Sequence, residues 1–181
     1  MSEPSGVAWC ARFPTSVSPD DLLPAFRDRV LAFISAMERG GAKVSIGATY
    51  RPPQRAYLMH WCCMIADSGQ DPSAVPQMPA VDIDWSHSGD VADARMAAAA
   101  MKSAYEIRFP AALASRHTQR RAIDMTISWD GTLPIRDFNG QERSITMPPR
   151  SGSNQVLVDV GRSFGVIKLM TDPPHWSDDG H

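Results

Sequence analysis

The pattern of apolar positions predicts a long amphipathic helix near the start of the chain. Hydrophobic side chains recur at helical spacing from Leu22 to Met37, with charged and polar residues between them. Ser18, followed by a proline and two aspartates, is typical of a helix start, and Gly40-Gly41 is typical of a helix end. We therefore expect one helix from Ser18 to the two glycines, with its apolar stripe packed in the core.

The remaining patterns predict an alternation of helices and strands. Helices are expected over residues 54–67, 90–104 and 154–164, and strands over 43–50, in the later part of 115–129 and over 166–170. Residues 81–85 alternate apolar and acidic side chains, which fits either a short strand or a continued loop. Residues 1–17 are expected to be an irregular lead-in, and 68–79 a loop. Residues 132–147 are expected to form a hairpin excursion, because Asn139-Gly140 is typical of a type I′ turn.

These elements indicate an α+β protein. The 181 residues suit one domain spanning 1–181, since domains commonly have about 100–200 residues. No internal repeat and no shift in composition marks a second domain.

Composition and charge argue against some classes of partner, although a local groove could still be positive. The formal net charge is −2, which gives no support for binding to nucleic acid or to an anionic membrane. The longest apolar run is far short of the roughly 18 residues that span a membrane. Glu3 stands where a signal peptide would be basic, and no apolar core of a signal follows. We expect synthesis in the cytoplasm, with any work outside the cell requiring another release route, and free thiols at the three cysteines.

Two short clusters carry the candidate chemistry. His117 and Asp124 stand seven residues apart, and Asp172-Pro173-Pro174-His175 follows near the end of the chain. A catalytic zinc site takes three protein ligands and keeps one position for water or substrate. His117, Asp124 and His175 can supply the three ligands, which leaves Asp172 free to take a proton from the bound water.

The spacing of both clusters favours convergence. Side chains alternate along a strand, so Ala122, Asp124 and Thr126 would share one face, and His117 on the preceding turn could fold over it. The two prolines restrict the backbone between Asp172 and His175 to a stiff, non-helical turn.

Other histidines and acidic residues compete with this interpretation. The remaining histidines are His60, His87 and His181. A second candidate site would use Asp82, Asp84, His87 and Asp90, although its acids are typical of a solvated loop. Trp129 and Trp176 either line a cleft or belong to the core.

The same residues resemble a known family. Ser115, His117, Ala122 and Asp124 match most of the pattern SxHxxGxAxD of the zinc-dependent DD-peptidases, and Asp172 with His175 matches the acid-x-x-His turn that follows it. That family includes the VanX-like and VanY-like enzymes and the phage L-alanyl-D-glutamate endolysins. Residues 48–54, Ala-Thr-Tyr-Arg-Pro-Pro-Gln, are similar to the family's SGYRxxxxQ segment, although the glutamine falls earlier.

The resemblance implies a compact fold of the Hedgehog and DD-peptidase type, with a small antiparallel sheet flanked by helices. It implies one zinc ion, bound by His117, Asp124 and His175, with Asp172 as general base. Arg51 would neutralise a substrate carboxylate or a developing oxyanion, since a guanidinium grips such groups in a bidentate manner. Gln54 and Ser115 would join Arg51 in binding substrate.

The expected function is therefore metal-assisted hydrolysis of an amide bond in a peptidoglycan stem peptide by a monomeric enzyme. An aspartate at position 172 is more similar to the L-alanyl-D-glutamate branch than to the D-alanyl-D-alanine branch, which remains the alternative. Arg120 stands where the family has glycine, and glycine permits a positive φ or a close backbone approach. A zinc-stabilised wall-binding module without catalysis is the third possibility.

Overall fold

The computed structural model describes residues 2–181 and confirms the α+β class. Within these residues the helices are α1 (Pro24–Arg39), α2 (Pro53–Asp67), α3 (Val91–Ala104) and α4 (Gln155–Ser163). The strands are β1 (Glu3–Pro4), β2 (Lys43–Ala48), β3 (Ile83–Asp84), β4 (Ala122–Ser128), β5 (Leu133–Arg136), β6 (Glu142–Ile145), β7 (Ile167–Lys168) and β8 (His175–Ser177).

The chain divides into two compact units, each built from two separate stretches of sequence. One unit combines the residues up to Thr15 with Arg51–Ala114, and the other combines Ser16–Tyr50 with Ser115–His181. We call them the helical unit and the sheet unit. A single domain over 1–181 stays a prediction.

The sheet unit is built around a four-stranded antiparallel sheet in the order β2-β4-β8-β7. Helices α1 and α4 contribute to the core of this unit. The ring of Phe33 on α1 lies 5.4 Å from that of Trp176 on β8, and Trp176 is fully buried. The predicted helices and strands of this unit all appear, with boundaries that shift by a few residues.

The first helix begins later than predicted. Ser18 does cap a helical turn, but only the short 3-10 helix Pro19–Asp21. The chain is extended at Leu23, with φ −59° and ψ 136°, and α1 begins at Pro24. A residue before proline is disfavoured from the helical region, so Pro24 breaks the continuous helix that the apolar spacing predicted.

The helical unit contains α2, α3 and a two-stranded parallel sheet of β1 and β3. The expectation of an irregular segment over residues 1–17 was wrong in part, because strand β1 and the 3-10 helix Val7–Ala11 form there. Trp9, only 2% exposed, packs into the apolar core of this unit, and its indole nitrogen donates to the carbonyl oxygen of Pro4 at 3.1 Å. Burial of this large side chain orders the segment.

The hairpin predicted over 132–147 is present as β5 and β6, but its turn is not type I′. That turn needs a positive φ at both central residues. Gly140 has φ 81°, whereas Asn139 is not among the residues with positive φ. Asp137 accounts for the difference, because its carboxylate accepts hydrogen bonds from the backbone N–H groups of Asn139 and Gln141.

Two further expectations concern the whole chain. In the described part of the chain, no helix combines the length and apolar character needed to cross a membrane. Cys10, Cys62 and Cys63 are free thiols, as expected. Burial raises the pKa of Cys62 and Cys10, so both thiols stay protonated at neutral pH.

Candidate metal centre

The central strand β4 carries Asp124, the first of three candidate metal ligands, between two neighbouring strands. Asp124 pairs with Ala48 of β2 on one side and with His175 of β8 on the other. The register between β2 and β4 shifts between Ile46 and Ala48, a local irregularity beside Asp124. Because Asp124 and His175 are directly paired across the sheet, their side chains are close neighbours.

A tight turn before β4 presents the second ligand. The turn is closed by backbone hydrogen bonds from Arg121 to Arg116 at 2.8 Å and from Gln119 to Ser115 at 3.1 Å. The backbone N–H of Ser115 donates to the hydroxyl of Thr118, and the backbone N–H of Thr118 donates to the hydroxyl of Ser115. The hydroxyl of Thr118 also donates to the carbonyl of Ser115. His117 lies within this turn and is only 4% exposed.

The third ligand follows the Pro-Pro turn. The backbone N–H of His175 donates to the carbonyl of Asp172 at 3.1 Å, and that of Met125 on β4 donates to the carbonyl of Pro174 at 2.8 Å. Asp172 itself is exposed, and its carboxylate does not belong to the ligand cluster found within residues 2–181.

The three side chains predicted as metal ligands converge on one point. His117 Nε2 lies 3.1 Å from Asp124 Oδ1 and 3.1 Å from His175 Nδ1. His175 Nδ1 lies 3.2 Å from the same carboxylate oxygen. Zinc bonds of about 2.0–2.1 Å in tetrahedral geometry separate neighbouring ligand atoms by about 3.3–3.4 Å. The cluster therefore has the dimensions of a metal site.

Main-chain oxygen atoms set the tautomer of both histidines. His117 Nδ1 lies 2.9 Å from the main-chain oxygen of Thr49, and His175 Nε2 lies 3.1 Å from that of His181. Such an oxygen only accepts hydrogen bonds, so each of these ring nitrogens carries a proton. In the neutral rings the other two nitrogens, which face Asp124, then hold lone pairs.

Three electron-pair donors thus point at one another: two imidazole nitrogens and a carboxylate oxygen. Such an arrangement is repulsive unless a proton or a metal cation lies between the donors, and one divalent metal ion satisfies all three of them. The two main-chain oxygen atoms also hold the rings in position, as partners of metal-bound histidines commonly do. The residues present therefore fit a metal ion.

The electrostatics of the cluster agree with this interpretation. Burial opposes ionisation of Asp124, but the hydrogen bonds and positive charge that His117 and His175 supply when a ring is protonated and no metal is bound outweigh burial and hold the pKa of Asp124 below its ordinary value. The side chain of Asp124 is 20% exposed, against 5% and 9% for the two histidines. The carboxylate is thus ionised, and solvent reaches the cluster from its side.

The other predicted site residues do not belong to the cluster. Arg51 and Gln54 lie in the helical unit, where Gln54 is in the first turn of α2. Ser115 lies in the sheet unit, and its hydroxyl oxygen accepts a hydrogen bond from the backbone N–H of Thr118 at 3.4 Å. Roles in substrate binding for these three residues stay predictions.

The competing acidic segment does not form a metal cluster in the described residues. The carboxylate of Asp84 accepts hydrogen bonds from Ser86 and Ser88, and that of Asp90 caps α3. His87 Nε2 lies 2.8 Å from the hydroxyl of Ser5. These groups organise turns, as the solvated-loop interpretation predicted.

The two candidate cleft tryptophans belong to the core. Trp176 is 0% exposed and Trp129 is 5% exposed, and both lie in the apolar core of the sheet unit. A lining role for them is therefore wrong, and the core interpretation is confirmed.

Arg120, where the DD-peptidase pattern has glycine, has the left-handed backbone conformation that favours glycine. Its φ is 61°, in the left-handed region. Its guanidinium lies over the ring of Tyr50, with the carbon atom 4.3 Å from the ring centre. Its carbonyl oxygen accepts a hydrogen bond from Leu23 at 3.0 Å. The larger side chain is thus accommodated without losing the turn.

Three contributors to the centre were missed at the level of sequence. The main-chain oxygen atoms of Thr49 and His181 leave no sequence signal, because every residue has one. Lys168 did leave a signal, since it is the one charged residue in the predicted strand 166–170. It is 5% exposed and bonds to the turn that carries His175.

Comparisons with known proteins add no assignment. No protein-family model matches this chain, and a search of curated proteins finds no significant relative. The geometry of the site therefore carries the functional argument.

Proposed function

We propose that this protein is a zinc metallopeptidase that hydrolyses an amide bond in peptidoglycan stem peptides. The observation that carries the proposal is the convergence of His117 Nε2, Asp124 Oδ1 and His175 Nδ1 within 3.2 Å of one another. Two histidines, one carboxylate and an approach from solvent make the ligand set of a catalytic rather than a structural zinc site.

Asp172 is the proposed general base. Zinc, when bound, would polarise the scissile carbonyl and lower the pKa of a water molecule to about 7. Asp172 stands three residues before His175, on a turn restricted by two prolines, and its carboxylate is exposed. Its side chain would accept the proton of the attacking water and pass it to the leaving amine.

Arg51, Gln54 and Ser115 are the proposed substrate-binding residues, by their resemblance to the DD-peptidase pattern. A stem peptide offers carboxylates at its D-glutamate and at its C-terminus, and the Arg51 guanidinium would pair with one of them in bidentate geometry. An aspartate at position 172 favours the L-alanyl-D-glutamate bond over the D-alanyl-D-alanine bond.

Mass spectrometry of digested peptidoglycan tests the proposal. Purified peptidoglycan of several wall chemistries is incubated with the zinc-loaded protein, and the released fragments are identified by mass. Asp172→Ala removes the proposed base. Asp130→Ala is a matched control, because Asp130 is another exposed aspartate of the sheet unit and is not one of the three clustered residues.

The fragments distinguish the possible functions. Fragments cut between L-alanine and D-glutamate, made by wild type and Asp130→Ala but not by Asp172→Ala, are the expected result. Loss of a terminal D-alanine instead would identify the carboxypeptidase alternative. No fragment from any wall type, despite bound zinc, would contradict catalysis and favour a wall-binding module.

A further inference from the structure

Lys168 places a buried ammonium group beside the metal centre. Its side chain belongs to β7 and is 5% exposed. The Nζ atom donates to three backbone carbonyl oxygens: Leu169 at 2.9 Å, Asp172 at 2.6 Å and His175 at 3.0 Å. An ammonium group has three hydrogens, so every donor of Lys168 is used by the backbone of this one turn.

The same three residues, Leu169, Asp172 and His175, are also joined in a closed ring by hydrogen bonds between their backbone N–H and carbonyl groups. The N–H of Leu169 donates to His175 at 3.1 Å, that of His175 to Asp172 at 3.1 Å, and that of Asp172 to Leu169 at 3.3 Å. Each carbonyl oxygen therefore accepts one backbone N–H and one ammonium hydrogen, which uses both of its lone pairs. The ammonium group neutralises three carbonyl dipoles that would otherwise repel one another.

This ring holds the two residues that the proposed chemistry needs on this turn. His175 supplies Nδ1 to the cluster, and the carbonyl of the same residue is bonded to Lys168. The backbone of Asp172 is held by Lys168 at the other end of the Pro-Pro pair. Because proline has no N–H, Pro173 and Pro174 cannot stabilise the turn by donating hydrogen bonds themselves.

We propose that Lys168 is a positioning residue of the metal centre: its ammonium group fixes the turn from Leu169 to His175 and thereby aims His175 Nδ1 and Asp172. This inference rests on the metal site of the proposed function. It assigns Lys168 no contact with substrate and no part in proton transfer. Its consequence is that metal affinity depends on a residue that is not a ligand.

Metal affinity of a lysine variant tests the proposal. Lys168→Met keeps a linear apolar side chain and removes the ammonium group. Loss of an outer partner typically weakens metal binding by about 10- to 100-fold, and we expect that loss here. Lys43→Met is the matched control, because Lys43 is an exposed lysine at the start of β2 in the same sheet.

Zinc affinity is measured for the three proteins by competition with a chelator, and the visible spectrum of the cobalt-loaded forms reports ligand geometry. Urea unfolding of the metal-free proteins shows that each is folded. The expected result is weaker zinc binding and a changed cobalt spectrum in Lys168→Met alone. Unchanged affinity and an unchanged spectrum in folded Lys168→Met would overturn the role of Lys168. Wild type that binds no zinc would overturn the proposed function as well.

A measurement on wild type covers the case in which Lys168→Met does not fold. The chain has three lysines, Lys43, Lys102 and Lys168, so the ammonium signals of protein labelled with ¹⁵N-lysine are readily assigned by NMR. We expect the Lys168 ammonium protons to exchange slowly with water and their signal to shift when zinc is added. Exchange as rapid as that of Lys43, or a signal unmoved by zinc, would contradict the proposal.

Discussion

At the residue scale, hydrogen-bond direction decides what the cluster can do. The main-chain oxygen atoms of Thr49 and His181 accept a hydrogen bond from one nitrogen of each ring, which leaves the other nitrogen of each ring available to a metal ion. Without these partners either ring could present an N–H to Asp124, and the three residues would form an ordinary hydrogen-bonded group. The outer partners thus give three common residue types the donor atoms that a metal site needs.

Asp172→Asn separates binding of the metal from catalysis. The amide keeps the size of the side chain but cannot accept the proton of the attacking water. Loss of a general base costs about 10²- to 10⁴-fold, so kcat on a stem peptide should fall by that factor. Zinc affinity should stay that of wild type, because Asp172 is not one of the three clustered ligands. A drop in zinc affinity with unchanged kcat would show that Asp172 acts as a ligand instead.

Arg120 gives a stability prediction that depends on backbone conformation. At φ 61° any residue with a Cβ atom is strained by about 1–2 kcal/mol, and glycine is not. Arg120→Ala keeps the strain and loses the contact with Tyr50, whereas Arg120→Gly loses the same contact and relieves the strain. We therefore expect Arg120→Gly to be more stable than Arg120→Ala by about 1 kcal/mol in urea unfolding. Equal stability, or a more stable alanine variant, would contradict the left-handed backbone.

Sequence alone predicted the residues of the cluster but not the atoms that orient them. His117, Asp124 and His175 were recognisable because two histidines and an aspartate stand at informative spacings beside a strand and a Pro-Pro turn. The main-chain oxygen atoms that orient the rings were not predictable, because they come from residues 68 and 6 positions away whose side chains take no part in the contact. The role of Lys168 required the closed ring of hydrogen bonds to be seen.

At the element scale, the absence of a side chain at Gly161 allows α4 to pack closely against β8. A Cβ atom at Gly161 of α4 would lie 2.7 Å from Trp176 Cζ3 and 2.9 Å from the carbonyl oxygen of Val166. Trp176 directly follows the candidate ligand His175 on β8. The close packing of α4 on β8 therefore helps to fix the backbone next to His175.

Gly161→Ala should destabilise the protein, although alanine is the better helix former. The added methyl group overpacks the core, which typically costs about 1–3 kcal/mol of unfolding free energy. Gly152→Ala is the control, because its Cβ atom would lie 3.7 Å from Trp176, an ordinary contact. Urea unfolding of both variants measures the difference. A Gly161→Ala variant as stable as wild type would contradict the close contact between α4 and β8.

The elements show where local signals were sufficient and where they were not. Helix α3 and its cap at Asp90 were predictable from a run of alanines and an aspartate. The late start of α1 was also predictable, because Pro24 disfavours a helical residue before it, but the regular apolar spacing across this proline favoured a continuous helix. Strands β1 and β3 pair across about 80 residues, and no local pattern indicates such a partner.

At the scale of the whole molecule, all three candidate metal ligands come from the sheet unit, but from separate parts of it. His117 and Asp124 come from a turn and a strand in mid-chain, and His175 comes from near its end. The site therefore exists only when β4 and β8 are paired. A metal that binds the folded state alone adds to its stability in proportion to the logarithm of its concentration.

The most direct test of the account is a titration of metal-free protein with zinc, read by calorimetry and by elemental analysis of the product. We predict one zinc per chain in wild type and none retained in Asp124→Asn. That substitution removes the one carboxylate of the cluster but keeps the shape of the side chain. The control variant Asp130→Asn changes an exposed aspartate outside the cluster, and it should bind zinc as wild type does. Absence of zinc in wild type, or full binding by Asp124→Asn, would contradict the metal centre and with it the proposed peptidase.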